Sequence, residues 1–210
     1  MKKLILSCFV LLLISCSSSK IVEQYKSPDN PTFEANKVLI IGMAQNVESR
    51  RMFEKELAEA LEKKNIIAVK SVAFFENSFA SDKKSETDLN AIEKQLADAG
   101  FDAIILSKVI SSENKISIVK ALKNIDKSYT NFRDDYYKSQ DIYFNDDYLQ
   151  ESKTYHTETT LYCICPTKER ELIWKGTIDI INPVKAKTSI GDYVSLLLKE
   201  FEKQQLLIVE

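Results

Sequence analysis

The sequence predicts an α/β protein of the α+β type, with a mixed β-sheet of about five to six strands packed by three helices, in the order β-α-β-α-β-β-β-β-α. Three observations predict it. Between Lys37 and Val109, short apolar runs alternate with two segments of helical period, as in a strand–helix–strand series. From Ile116 to Ile180 the pattern changes to strand-like segments rich in Thr, Tyr and β-branched residues. From Ser189 a helical period returns and closes the chain.

The elements follow in order. Lys37–Gly42, "KVLIIG", is a short apolar run bounded by polar residues, hence a buried strand. Asn46 can cap a helix over Val47–Lys64, with Phe53, Leu57, Ala60 and Leu61 on one face. Ile66–Phe75 reads as a second strand. Ser85-Glu86-Thr87-Asp88 resembles a capping box, and Leu89, Ile92, Leu96 and Ala99 supply the next helical face. Gly100 sits where a left-handed residue commonly ends a helix. "FDAIILSKV" is the third strand. Ser111–Asn114 reads as a turn, and Ile116, Ile118 and Leu122 as a returning strand. Thr154–Cys165 is a strand that Pro166 ends, and Leu172, Trp174, Gly176, Ile178 and Ile180 alternate along the next. Ser189-x-x-Asp192 starts the last helix, with Ile190, Val194, Leu197, Leu198 and Phe201 on one face. Residues 37–210 thus form a single globular domain, interrupted by a Tyr- and Asp-rich excursion at 129–153.

The amino terminus carries a different message. Lys2 and Lys3 precede an apolar run, Leu4–Ile14, broken only by Ser7 and Cys8. Eleven helical residues rise about 1.5 Å each, well short of the roughly 30 Å of a bilayer core. The run therefore reads as a cleaved signal peptide, residues 1–15. It ends in Leu13-Ile14-Ser15-Cys16, which resembles the lipobox of bacterial lipoproteins. That resemblance implies cleavage after Ser15 and attachment of palmitate-type lipid to Cys16. Ser17, rather than Asp, follows the cysteine, which resembles outer-membrane sorting. No acidic cluster of the surface-export kind lies at Ser17–Lys20. The expected location is the outer membrane on its periplasmic side, with surface exposure as the alternative. Residues 16–36 contain Pro28 and Pro31 among many polar residues and are expected to be a flexible, lipidated tether.

Composition bounds the function. Two of the 29 basic residues lie in Met1–Ser15, leaving 27 against 31 acidic residues, a net charge of −4. With no basic cluster, nucleic acid is not an expected partner. His156 is the only histidine and sits in an alternating strand pattern; no G-x-S-x-G elbow accompanies it. One histidine and one Cys-x-Cys do not make a zinc site. Gly42 follows a strand and precedes a helix, but "GMAQNVES" lacks the glycines and the Lys-Ser/Thr of a phosphate loop. Asp141, Asn145, Asp146 and Asp147 have calcium-ligand chemistry without the spacing or glycine of a calcium loop. No metal or cofactor is expected. Cys163 and Cys165, two apart on a strand, would stand about 6.6 Å apart at the backbone, the outer limit for a disulfide. Both thiols are expected to be free, with a strained disulfide as the alternative.

The excursion contains "RDDYYKSQDIYFNDDYLQ", Arg133–Gln150. Tyr suits recognition surfaces because it supplies amphipathic area at little entropic cost. Tyr136, Tyr137, Tyr143, Phe144 and Tyr148 are the candidate binding surface. The competing reading is a packed connection, because Tyr129, Phe132 and Tyr136 have helical spacing. If the segment only binds, its deletion leaves the fold intact. Asp134-Asp135 could serve acid–base chemistry on a sugar, though adjacent carboxylates seldom converge on one atom.

"KVLIIGM…RRMFEKELAEALEKKNI", "LADAGFDAIILSKV", "TTLYCIC…RELIWKGTIDI" and a closing helix occur in this order. Together they resemble small bacterial envelope lipoproteins whose domain is similar to the amino-terminal domain of TolB and to the curli-secretion lipoprotein CsgG. The resemblance implies an envelope accessory or assembly role with no active site to carry over. The expected function is that of a non-enzymatic, periplasm-facing outer-membrane lipoprotein that binds an envelope protein or glycan. The alternatives are an oligomeric secretion-channel component and a carbohydrate-active enzyme.

Overall fold

The computed structural model describes residues 18–75, 83–112, 131–140, 154–164, 171–181, 183 and 185–207. These contain strands β1 (Ser19–Lys26), β2 (Lys37–Met43), β3 (Ile67–Lys70), β4 (Ala103–Ser112), β5 (Thr154–Cys163) and β6 (Leu172–Ile181). The helices are α1 (Val47–Glu62), α2 (Ser71–Phe74), α3 (Glu86–Asp98), α4 (Phe132–Ser139) and α5 (Ala186–Lys203). One open sheet has the order β1-β6-β5-β4-β2-β3. β2 runs parallel to both β3 and β4, and all other pairs are antiparallel. The predicted mixed α/β architecture is the one observed.

Both faces of the central strands are covered, which is why β2 is a continuous apolar run. On one face, Val38, Ile40, Ile105, Leu161, Trp174 and Ile178 pack with Phe53 and Leu57 of α1 and Leu197 and Phe201 of α5. On the other, Leu39, Ile41, Ile104, Leu106 and Tyr162 pack with Leu89 and Leu96 of α3 and Phe132 and Tyr136 of α4. Helix ends follow local chemistry. The side chain of Asn46 accepts the Ser49 N–H at 2.8 Å. Ser85 and Asp88 form a reciprocal capping box, with bonds of 3.2 and 2.9 Å. Gly100 adopts φ 72° just past α3, and Phe101 N–H closes back on the Leu96 carbonyl at 3.0 Å.

Several expectations are corrected. The stretch expected to be a flexible tether supplies β1, an edge strand paired with β6 from Ser19↔Ile180 to Lys26↔Trp174. Its sequence, SKIVEQYK, is polar because it lies at a sheet edge and only one side meets the core. The predicted strand Ile66–Phe75 is strand only over Ile67–Lys70. At Ser71 the chain turns into α2, because the buried Glu54 carboxylate accepts the Val72 N–H at 3.1 Å and the Ser71 hydroxyl at 2.6 Å. α5 begins at Ala186, not at Ser189; Asp192 bonds to Ser18 instead of capping its own helix. α2 and α4 add to the three expected helices. Cys163 is disulfide-bonded, to a cysteine outside the described residues, so the free-thiol expectation fails there. The expected strand around Ile116–Leu122 lies outside the described residues.

Candidate functional site

The connections around β2 leave in opposite directions. α1 carries the chain to β3 on one side, and α3 carries it back across to β4 on the other. In open α/β sheets such a reversal leaves a crevice at the carboxyl ends of the strands. A cleft of about 370 Å³ lies there. Gly42, Met43 and Ala44 from the end of β2 line it, as do Ser107 and Val109 of β4, Tyr155 and Thr157 of β5, and Ile180 and Pro183 at the end of β6. Its sides are the first turns of two helices: Asn46, Ser49, Arg50 and Phe53 from α1, and Ala186, Ser189, Ile190 and Tyr193 from α5.

The floor is built of hydroxyls that satisfy one another. Ser107 Oγ and Thr159 Oγ1 are 2.6 Å apart. The Tyr193 hydroxyl is bonded to Thr159 and donates to Ser107 at 3.5 Å. Thr157 donates to the Ile178 carbonyl at 2.7 Å. Burial pushes the Tyr193 hydroxyl above its ordinary pKa, against the pull of its hydroxyl partners, so it stays neutral. The Arg50 guanidinium donates to Glu54 at 3.1 Å and to Ser71 at 2.9 Å. Glu54, fully buried, also accepts the Gly42 N–H at 3.0 Å. The charge at the cleft wall is therefore compensated inside the fold.

Behind the cleft, on the opposite sheet face, lies a buried ion network. Lys108 pairs with Asp135 of α4 and, at 2.8 Å, with Glu158 of β5. Glu158 pairs in turn with Lys175 of β6 at 2.8 Å. Tyr162 donates to Asp135 at 2.7 Å and Ser139 donates to it at 3.2 Å. Burial alone would raise the Asp135 pKa, but the Lys108 ammonium, the Tyr162 hydrogen bond and the Lys175 charge together outweigh it and hold the carboxyl below its ordinary value. Burial likewise opposes the charge on Lys108, and Asp135 and Glu158 overcome it, raising the Lys108 pKa. Burial and then the Asp135 charge push Tyr162 well above the ordinary phenol value.

The predicted site residues fall unevenly. Tyr136 is 1 % exposed and packs on Phe132 at 5.6 Å between ring centroids, so it belongs to the core and presents no binding surface. Tyr137 is exposed on α4. Cys16, Tyr143, Phe144 and Tyr148 lie outside the described residues, as do Asp141, Asn145, Asp146 and Asp147. Asp135 is committed to Lys108, while the Asp134 carboxylate accepts from Arg133 Nε at 3.2 Å and from Asn131 Nδ2 at 3.3 Å, so the two carboxylates do not converge. His156 Nδ1 lies 2.6 Å from Asp179. Among the described residues no group of three His, Cys, Asp or Glu side chains is placed to hold a metal. No described helix is long and apolar enough to cross a membrane. The cleft itself was missed. Its signal was the intrusion of Ser107 into the apolar run of β4 and of Thr157 and Thr159 into β5.

No protein-family model and no curated relative matches the sequence, so no family match stands behind the resemblance to TolB and CsgG. Among solved structures, the chain is similar to a PelC dodecamer from Paraburkholderia phytofirmans, with 10 % identity, a TM-score of 0.43, and coverage of 90 % of this chain and 98 % of that one. It is also similar to the lipoprotein GNA1162 from Neisseria meningitidis, with 12 % identity, a TM-score of 0.41, and coverage of 80 % and 96 %.

Proposed function

We propose that this chain is a lipid-anchored protein of the bacterial envelope that binds another envelope component and performs no catalysis of its own. The observation that carries the binding reading is the cleft at the carboxyl ends of β2 and β4. It is roomy and largely apolar, and its floor hydroxyls and its arginine are already bonded within the fold. Such a site offers shape and apolar surface, as a binding site does, with no activated nucleophile or poised base among those groups. The anchor rests on the amino-terminal sequence, from Lys2 to Cys16.

The anchor is tested by growth of the bacterium with an alkyne-bearing palmitate, followed by capture and envelope fractionation. The wild-type chain is expected to carry the label and to sediment with the outer membrane. Cys16→Ser is expected to lose the label and to accumulate in unprocessed form. An unlabelled wild-type chain in the soluble fraction overturns the anchor. Binding is tested by in-cell crosslinking of the intact chain, comparing wild type with Ile190→Trp, which fills the cleft. A crosslinked set that does not change overturns the assignment of binding to the cleft.

A further inference from the structure

The start of β1 and the cleft lie at the same end of the sheet. β1 runs antiparallel to β6, β6 to β5, and β5 to β4. The amino end of β1 therefore stands beside the carboxyl ends of β6, β4 and β2. Ser18 is fixed there: its N–H and hydroxyl both donate to Asp192 of α5, at 3.1 and 2.9 Å, and its carbonyl accepts the Ile181 N–H at 2.6 Å. Cys16 precedes Ser18 by two residues, and an extended chain covers at most about 3.5 Å per residue. A lipid on Cys16 is thus attached within about 7 Å of a fixed point of the fold. Such a lipid would hold this end of the sheet against the bilayer. Its exposed side chains suit that position. Lys20, Lys185 and Lys187 supply positive charge there, against exposed Glu48 and half-buried Asp179 and Asp192, while Val47 and Ile181 are exposed apolar residues.

We propose that the cleft opens onto the membrane and takes an acyl chain of a bilayer phospholipid. The proposal deepens the binding reading above and rests on lipidation of Cys16. Phe53, Val109, Ile180 and Ile190 give the cleft an apolar wall. The floor hydroxyls are bonded to one another and to the Ile178 carbonyl, and Arg50 is held by Glu54 and Ser71. The ionised side chains at the cleft, Arg50 and Lys108, are paired with buried carboxylates, so a charged ligand entering this space loses its water without meeting an unpaired ionised side chain among the described lining residues. An alkyl chain loses nothing of the kind and gains burial. The short connection delivers the cleft to a surface where alkyl chains are the most abundant apolar ligand.

The test uses the intact lipidated chain reconstituted into vesicles of phosphatidylethanolamine and phosphatidylglycerol, doped with a phosphatidylethanolamine carrying a diazirine on its acyl chain. After photolysis, crosslinked peptides are mapped by mass spectrometry. Labels are expected on the cleft-lining parts of α1 and α5 and at the end of β6, and not at the opposite end, around Ile67 and Leu206. Ile190→Trp is expected to reduce cleft labelling several-fold while the chain remains vesicle-bound. Ala186→Trp serves the same purpose if circular dichroism shows that Ile190→Trp is misfolded. A lipidated chain with an unlabelled cleft, or with labels spread evenly over both ends, overturns the inference and leaves the anchor standing. Intact mass, read on the same sample, reports the lipid on Cys16. Its absence overturns the anchor and the inference together.

Discussion

Single residues decide how this interior tolerates polarity and bulk. Lys108 and Asp135 are both buried, and each helps to hold the other charged. Lys108→Met leaves Asp135 without its cation and is expected to destabilise the domain by about 3–5 kcal/mol, the usual cost of breaking one side of a buried pair. Lys108→Met with Asp135→Leu is expected to recover part of that loss, as measured by urea unfolding of the single and double variants. The pH dependence has a definite sign. The Asp135 pKa is lowered in the folded state, so its contribution is present above the unfolded carboxyl value of about 3.9 and is lost as pH falls through the folded value. Asp135→Asn is therefore expected to flatten the acid limb of the stability profile below about pH 4. Gly176 is a packing requirement of a different kind. A Cβ there would stand 2.2 Å from the ring of Trp174, which is fully buried and meets Phe201 edge-on at 5.2 Å. Gly176→Ala is expected to cost about 1–3 kcal/mol through overpacking, seen as a lower Tm with an altered near-ultraviolet signal from the sole tryptophan.

At the scale of elements, α4 shows what sequence patterning conveys and what it leaves out. The spacing of Phe132 and Tyr136 announced a short packed helix, and both rings do close the core beneath α3. The same letters, with Tyr137, also suggested a recognition surface, because composition alone does not separate a ring that faces in from one that faces out. Asp135 carried no signal at all: its partner, Lys108, is 27 residues away on strand β4, and no local pattern marks such a pairing. Deletion of Arg133–Gln150, expected from sequence to leave the fold intact, removes Asp135 and Tyr136 from the core and takes one of the two carboxylates paired with Lys108. It is now expected to leave an aggregated or molten chain, checked by dye binding to exposed apolar surface and by loss of near-ultraviolet dichroism. Tyr137→Ala, by contrast, touches an exposed ring and is expected to change stability by less than about 0.5 kcal/mol. β2, α1, α3 and β6 were legible because burial imposes a period of 2.0 or 3.6 on their residues. β1 was not, because an edge strand with one dry side is mostly polar.

At the scale of the whole molecule, reclassifying residues 19–26 from tether to strand changes how the domain meets its surroundings. A free linker would let the body tumble away from the membrane, and its loss would leave the fold unaffected. An edge strand does neither. β1 covers β6 along its length, Ile21 packs into the core, and Lys26 donates to the Pro31 carbonyl at 2.7 Å beside the end of α5. The amino-terminal segment is thus stitched to the sheet at one end through Ser18 and Asp192, and at the other through Lys26. A chain shortened to begin after Lys26 is expected to expose the backbone edge of β6 and the apolar groups under β1. It should unfold at lower temperature and associate through the bare strand, as unpaired edges do. Thermal unfolding and light scattering check both effects. Asp192→Ala makes a milder version of the same break, since it removes the acceptor of both Ser18 donors while sparing the β1–β6 ladder. It is expected to raise amide exchange at Ser18 to Ile21 with little change in global stability. If exchange there is already fast in the wild-type chain, the amino end is a tether after all, and the orientation of the domain on the membrane is not set by β1.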